Sequence, residues 1–181
     1  MNVKEFLVLG SVATNTAEVV DSMKKLPHPK FVGEHKVPDS LNDLTIGELL
    51  SLQGMSEVKD CLFVVCRVLF GMSETEVLAT SAEDVIALSA WVAKEVERIS
   101  KLFTSTSVPP TDEERQAGVG DLNFGMFGIL DYFALRMGIT NHEEVERVPW
   151  IRVYKCMEMD AEKIKYERRL RKVIQERSKK K

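Results

Sequence analysis

The clearest hydrophobic pattern in the chain lies between Val85 and Phe103. Apolar residues recur there at intervals of three and four, at Val85, Leu88, Val92, Val96, Ile99 and Phe103. This spacing places them on one stripe of a helix, because each residue turns the helix by about 100°. The opposite side carries Lys94, Glu97, Arg98 and Lys101. The pattern therefore predicts a long helix with one face in the core and one face in water.

Two further segments, 56–70 and 124–137, are apolar on nearly every side. Such a composition is typical of helices that are buried in a core, so both are predicted to be central helices. Asp131 is the charge that the second segment is expected to force into the core. We interpret it as one partner of a structural ion pair rather than as a catalytic acid, since no second acid, base or nucleophile accompanies it.

Helix starts are marked by the Ser/Thr-x-x-Glu capping box, in which the hydroxyl and the glutamate each accept a hydrogen bond from the other residue's amide. Four such boxes occur, at Thr45 with Glu48, Ser73 with Glu76, Thr111 with Glu114, and Thr140 with Glu143. Each predicts that a helix begins there. No strong strand pattern competes with them, and the predicted fold class is all-α, a single-domain helical bundle with a protruding basic C-terminal helix.

Prolines divide the chain into segments. A helix is predicted over 16–26, and 27–44 is predicted to be a loop with one short extended piece, because it contains three prolines and Gly33. Thr104–Thr111 contains two consecutive prolines and is predicted to be a linker and a candidate hinge. The predicted organisation is a peripheral N-terminal segment over 1–42, a helical core over 43–159, and a basic C-terminal helix or tail over 160–181.

The last predicted helix, which follows Pro149, changes its apolar face along its length. One stripe contains Val153, Tyr154, Met157, Ala161 and Ile164, whereas a stripe on nearly the opposite side contains Tyr166, Leu170, Val173 and Ile174. The change occurs near Asp160. Either the helix breaks there, or its first half packs on the body and its second half offers an apolar strip to another molecule.

Positive charge is concentrated in the same part of the chain. The chain has a formal net charge of −3, yet residues 160–181 contain ten lysines and arginines against four acidic residues. This basic end is a protein-docking helix, a solvated helix end or a nucleic-acid contact, and only Tyr166 offers an aromatic platform for bases. The candidate partner-binding residues are Tyr166, Arg168, Arg169, Leu170, Arg171, Lys172, Val173 and Ile174.

Composition and motifs exclude other classes. With 181 residues, 44% of them hydrophobic and 29% charged, the chain is long and apolar enough for one buried core. Three cysteines without CxxC spacing favour a reducing cytosol, and the sequence predicts neither a secretion signal nor a membrane span. The histidines are scattered, and no nucleophile elbow, phosphate loop, metal-ligand cluster or dinucleotide fingerprint occurs, so we expect no enzyme activity, metal or cofactor.

From Asp43 onward the chain resembles the helical tail assembly chaperones encoded by bacteriophages and prophages. The resemblance is in patterns of helix, glycine and tryptophan, at Leu44–Leu50, Val85–Phe103, Pro110–Gly118, Phe124–Gly138, Val145–Trp150 and Tyr166–Leu170. It implies a non-enzymatic protein of the host bacterial cytoplasm that binds the long tape-measure protein, keeps it soluble and recruits tail-tube subunits.

Two alternatives remain open at this point. One is a virion structural or connector protein that stays in the particle. The other is a small nucleic-acid-binding protein that uses the basic C-terminal helix. The expected partners are phage tail proteins or a second copy of this chain, with nucleic acid as the less favoured partner and no membrane.

Overall fold

The computed structural model describes residues 1–10, 27–55 and 57–179. Nearly all of their regular structure is helical, and the predicted all-α single-domain class is confirmed. The predicted helix over 16–26 and the expected helix start at Ser56 lie outside the described residues, as do Lys180 and Lys181.

The helices have the following bounds: α1 Val3–Gly10, α2 Ile46–Gln53, α3 Val58–Phe70, α4 Glu74–Ala79, α5 Ala82–Ser105, α6 Asp112–Gln116, α7 Phe127–Met137, α8 His142–Glu146 and α9 Trp150–Lys179. A short 3₁₀ helix covers Val119–Asp121, and the strands β1 Phe31–Val32 and β2 His35–Lys36 form an antiparallel pair. Among the helices described here, none has both the length and the apolar composition needed to cross a bilayer.

The residues group into two compact units. Unit 1 consists of Met1–Leu44 and Glu48–Arg98, and unit 2 consists of Thr45–Gly47 and Ile99–Lys181. The candidate site belongs to unit 2.

Unit 1 includes the start of the chain in its core. The Asn2 side chain caps α1 by accepting a 2.8 Å hydrogen bond from the Glu5 amide, and the Glu5 carboxylate accepts one of 3.0 Å from the Asn2 amide. Val3 is fully buried, and its amide donates to the carbonyl of Thr80 at 3.0 Å. Val32, Val37 and Leu41 are also buried. Segment 1–42, predicted to be peripheral, therefore supplies core residues of unit 1.

Among the described side chains of the helix α3, the fully buried ones lie on one side, which corrects the prediction of a central helix buried on nearly all sides. Leu62, Val65 and Cys66 are buried. Phe63 and Val64 are half-buried and line a cleft of about 320 Å³. The difference arises because an apolar residue type indicates that burial is favourable but does not supply a neighbour to cover it.

The long helix α5 follows its predicted stripe closely. Val85, Leu88, Val92 and Ile99 are fully buried, whereas Lys94, Glu97 and Lys101 are exposed. Ser81 caps the helix by accepting from the Asp84 amide at 3.4 Å. The predicted long helix with one solvated face is confirmed.

The capping boxes of α4 and α6 are present at Ser73 and Thr111 as predicted. The prediction that Thr140 caps α8 is wrong. The cap is Asn141, whose side chain accepts a 2.9 Å hydrogen bond from the Glu143 amide. Asparagine ranks at least as high as threonine at this position, and it lies directly before the first helical residue.

Candidate functional site

The helix α9 is continuous through Asp160, so the predicted alternative of a break there is wrong. Its first half packs within unit 2, where Trp150, Val153 and Ala161 are buried. The Phe103 ring lies 6.0 Å from the Trp150 ring and 5.9 Å from that of Tyr154, centroid to centroid. This packing fixes the helix and determines which of its faces continues into solvent.

Asp160 lies where the apolar face of α9 changes sides. Its carboxylate accepts a 2.5 Å hydrogen bond from the Tyr132 hydroxyl and forms an ion pair with Arg136, so α7 and α9 are joined by two polar contacts. The hydrogen bond from Arg136 lowers the pKa of Asp160, with a further contribution from Tyr132. Burial raises the pKa of Tyr132, and so does its bond to the carboxylate.

Asp131 is not forced into the core, which corrects the prediction. Its side chain is half exposed, and its Oδ1 lies 3.6 Å from Nε2 of His142. The His142 ring packs against that of Phe127, with 4.8 Å between centroids. The carboxylate held by the tyrosine and arginine of α7 is Asp160 instead. This pairing joins residues 28 positions apart, and no local pattern could have indicated it.

Arg168 is held inside unit 2, although the sequence placed it in the partner-binding set. Its guanidinium donates to both carboxylate oxygens of Glu114, at 2.9 and 3.1 Å, and to the carbonyl of Pro109 at 2.5 Å. The Arg115 guanidinium also donates to the carbonyl of Pro110, at 2.7 Å. Arginine side chains therefore hold the predicted linker by hydrogen bonds to the consecutive carbonyls of Pro109 and Pro110.

A cleft of about 510 Å³ lies between this tied linker and α9. Its apolar lining includes Val108, Val119, Met157 and Ile164. Polar groups of Tyr132, Asp160, Glu114 and Arg168 also line it, and each of them already has a partner in the contacts described above. The cleft is thus an apolar depression whose charged groups are mutually neutralised.

The distal half of α9 presents an exposed apolar strip. Every side chain from Arg169 to Lys179 is exposed, and the exposed fractions are 43% for Leu170, 44% for Val173 and 54% for Ile174. Tyr166 is exposed on the same stripe, and so is Met159, three turns before Leu170. We call these five residues the α9 strip.

Cations flank the α9 strip on both sides. At about 100° per residue, Arg169 and Arg171 lie one on each side of Leu170, whereas Lys172 lies on the far side of the helix. Residues 169–179 contain five lysines and arginines and one glutamate. Six of the eight predicted partner-binding residues thus form or border one exposed surface, and the other two, Arg168 and Lys172, do not.

A second exposed apolar surface was missed by the sequence reasoning. The segment 124–137 was predicted to be a central buried helix, but the helix α7 begins at Phe127, and only Leu130, Phe133 and Ala134 are buried in it. The exposed residues Leu122, Phe124, Phe127 and Leu135 form what we call the α7 patch. The sequence contained a usable signal for this exposure. Apolar residues occur on every face of the segment, and one neighbouring element can cover only some of these faces.

Other chemistry is sparse in the described part of the chain. It contains no group of three or more His, Cys, Asp or Glu side chains placed to hold a metal ion. Cys66 is buried, and this burial raises the pKa of its thiol to about 11, which keeps it protonated at neutral pH.

Comparisons with models of protein families, with curated proteins and with solved structures found no significant match.

Proposed function

We propose that this protein is a non-enzymatic, tail assembly chaperone-like protein that binds a phage tail protein through the α9 strip. The observation that carries the proposal is the exposure of Leu170, Val173 and Ile174 on a continuous helix. A helix that presents apolar residues at i, i+3 and i+4 is suited to lie in an apolar groove of another protein.

The free energy of burying apolar side chains favours contact of the α9 strip with a protein partner over its exposure to solvent. Full burial of a wholly exposed aliphatic side chain is worth about 1.5–3 kcal/mol. Because Leu170, Val173 and Ile174 are each about half exposed, covering all three supplies about 2–4 kcal/mol, a substantial part of the free energy of a micromolar complex before ordering costs are subtracted. The flanking Arg169 and Arg171 favour a partner whose groove has an acidic rim, since rim charges steer association.

The phage context rests on the resemblance that begins at Asp43. The all-α class and the continuous C-terminal helix are compatible with a protein that holds a long helical tape-measure protein in the host bacterial cytoplasm. The proposal predicts that the protein leaves the finished tail. Its presence in purified virions would favour the structural or connector alternative instead.

The proposal is tested by co-expressing the chain with a phage tape-measure protein from the same genome. The readouts are the amount of that protein that stays soluble and the amount that co-purifies. We expect Leu170→Asp to lose both, because it places a charge in the apolar contact. The matched control is Gln175→Asp, which adds the same charge on the opposite side of the helix. If the tape-measure protein is equally soluble when co-expressed with wild type and with Leu170→Asp, the proposal is contradicted.

Nucleic acid is a second candidate, favoured by the net charge of +4 over residues 169–179. Phosphate binding would weaken steeply as salt rises, because counterions are released on binding. It would also be lost in the double variant Arg169→Glu with Arg171→Glu but retained in Leu170→Asp. A protein groove gives the reverse order, with Leu170→Asp the more damaging change.

A further inference from the structure

The α7 patch has the features of a receptor for a basic helix. Its side chains are strongly exposed, at 70% for Phe124, 59% for Phe127 and 76% for Leu135. At about 100° per residue, Phe127, Asp131 and Leu135 follow one another in steps of four residues, each about 40° further round the helix, so a carboxylate lies between two apolar residues of the patch.

Acidic side chains adjoin this patch in the sequence and in the structure. Asp121 precedes it, Asp131 is half exposed inside it, and Glu143 and Glu144 are exposed on α8 next to His142, whose ring packs on Phe127. The patch therefore combines exposed aromatic and aliphatic groups with a rim of negative charge. An exposed apolar surface with a polar rim is typical of a protein interaction site.

The α9 strip is the complement of this surface on the same chain. It has apolar residues at helical spacing and arginines on both flanks, whereas the patch has apolar residues and carboxylates. Both surfaces belong to unit 2, and both are exposed in the single chain, so the strip is not folded back onto its own patch.

We propose that copies of this chain associate head to tail, with the α9 strip of one copy lying on the α7 patch of the next. This inference rests on the proposed function in that it uses the same helix, but it names a second copy as an occupant. Arg169 and Arg171 of the helix face the carboxylates around the patch, and Leu170 and Ile174 contact its apolar centre.

Two different surfaces meet in such a contact, so it is heterologous. One free strip remains at one end of an assembly and one free patch at the other, unless the assembly closes into a ring. The free strip at the end can still bind a tail protein. Self-association and the proposed function are therefore compatible and can be tested separately.

The test uses the full chain and measures molar mass by light scattering and sedimentation over a range of about 1 to 200 µM, where small interfaces associate. We expect the wild-type mass to rise with concentration. Leu170→Asp and Leu135→Asp should each weaken self-association by at least about tenfold. Gln175→Asp, the control on the opposite side of α9, should behave as wild type.

Mixing the two variants gives the decisive result. The Leu170→Asp chain keeps an intact patch, and the Leu135→Asp chain keeps an intact strip, so the mixture should form a 1:1 dimer and nothing larger. If circular dichroism shows that Leu135→Asp does not fold, Phe124→Asp takes its place, because Phe124 lies outside the helices. The same result is expected from it. A chain with Arg169→Glu and Arg171→Glu should lose self-association. It should regain association when it is mixed with a second chain that carries Glu143→Lys and Glu144→Lys.

Three outcomes would overturn the proposal. A wild-type chain that stays monomeric over this range shows that the two surfaces do not meet. Self-association that survives Leu135→Asp points to contacts between two strips, and self-association that survives Leu170→Asp points to contacts between two patches. If the wild type is monomeric while Leu170→Asp still loses the tape-measure protein, self-association fails and the proposed function stands.

Discussion

The hydroxyl of Tyr132 donates a 2.5 Å hydrogen bond to the carboxylate of Asp160, so the helix α7 is joined to the middle of α9. Arg136, one turn further along α7, forms an ion pair with the same carboxylate. The contact lies where the apolar face of α9 changes sides. It fixes the rotation of the helix and thereby directs the α9 strip toward solvent.

Removing the hydroxyl tests this contact. We expect Tyr132→Phe to lower the free energy of unfolding by about 1–2 kcal/mol, because a partly buried hydrogen bond to a charged group is lost. The control is Tyr154→Phe, since the Tyr154 hydroxyl donates to Glu158 one turn away on the same helix, at 2.8 Å, and interacts more weakly with Ser105. That variant should cost less than about 0.5 kcal/mol in urea unfolding. Equal costs would show that the α7 to α9 contact has no special role.

The same carboxylate gives a pH dependence. The hydrogen bonds from Arg136 and Tyr132 lower the folded-state pKa of Asp160 below its ordinary value. The unfolded chain therefore binds this proton first as pH falls, and the stabilisation, complete above pH of about 4, is lost as pH decreases through the folded-state pKa. Asp160→Asn should be less stable than wild type at pH 7, and the difference should shrink in acid. A difference that stays constant with pH would contradict this assignment.

Local signals in the sequence predicted the local parts of the fold. The capping boxes at Ser73 and Thr111 and the α5 stripe are formed as predicted, because each depends on residues within one or a few helical turns. The exposed strip around Leu170 was also predictable, since its stripe departs from that of the first half of α9. The pairing of Tyr132 with Asp160 and the exposure of Asp131 were not, because they depend on which elements meet after folding.

Two neighbouring residues of α3, one in the core and one at a cleft, allow a matched comparison of alanine substitutions. Leu62 is 3% exposed, whereas its neighbour Phe63 is half-buried at the edge of a cleft. We expect Leu62→Ala to cost about 2–5 kcal/mol, because it leaves a cavity in the packed side of the helix. Phe63→Ala should cost less, although it removes more atoms, since that site is already open to water. The reverse order in urea unfolding would contradict the structure of this helix.

Gly47 is a close-approach position in unit 2. A Cβ placed there would lie 2.9 Å from the Cβ of Glu146 and 3.0 Å from its carbonyl oxygen. The Gly47→Ala variant should therefore lose about 1–3 kcal/mol through overpacking against a backbone that cannot easily move. Gly120→Ala is the control, because a Cβ at that position meets no atom within 4 Å among the residues described. A Gly47→Ala chain as stable as Gly120→Ala would show that the two segments do not approach so closely.

Arg168 marks where α9 stops contributing to unit 2 and becomes a binding surface. A chain that ends at Arg168 keeps the bonds to Glu114 and Pro109, and the described residues that it loses, 169–179, all have exposed side chains. Its unfolding free energy should therefore change by less than about 1 kcal/mol. A chain that ends at Glu162 also loses Ile164 from the cleft lining, together with the Arg168 contacts, and should be less stable by about 1–3 kcal/mol. Arg168→Gln in the full chain isolates the polar part of that loss. Both truncated chains lack Leu170, Val173 and Ile174 of the α9 strip, so neither should bind the partner, but only the longer one should unfold in urea as wild type does. Partner binding by the chain that ends at Arg168 would place the binding surface elsewhere.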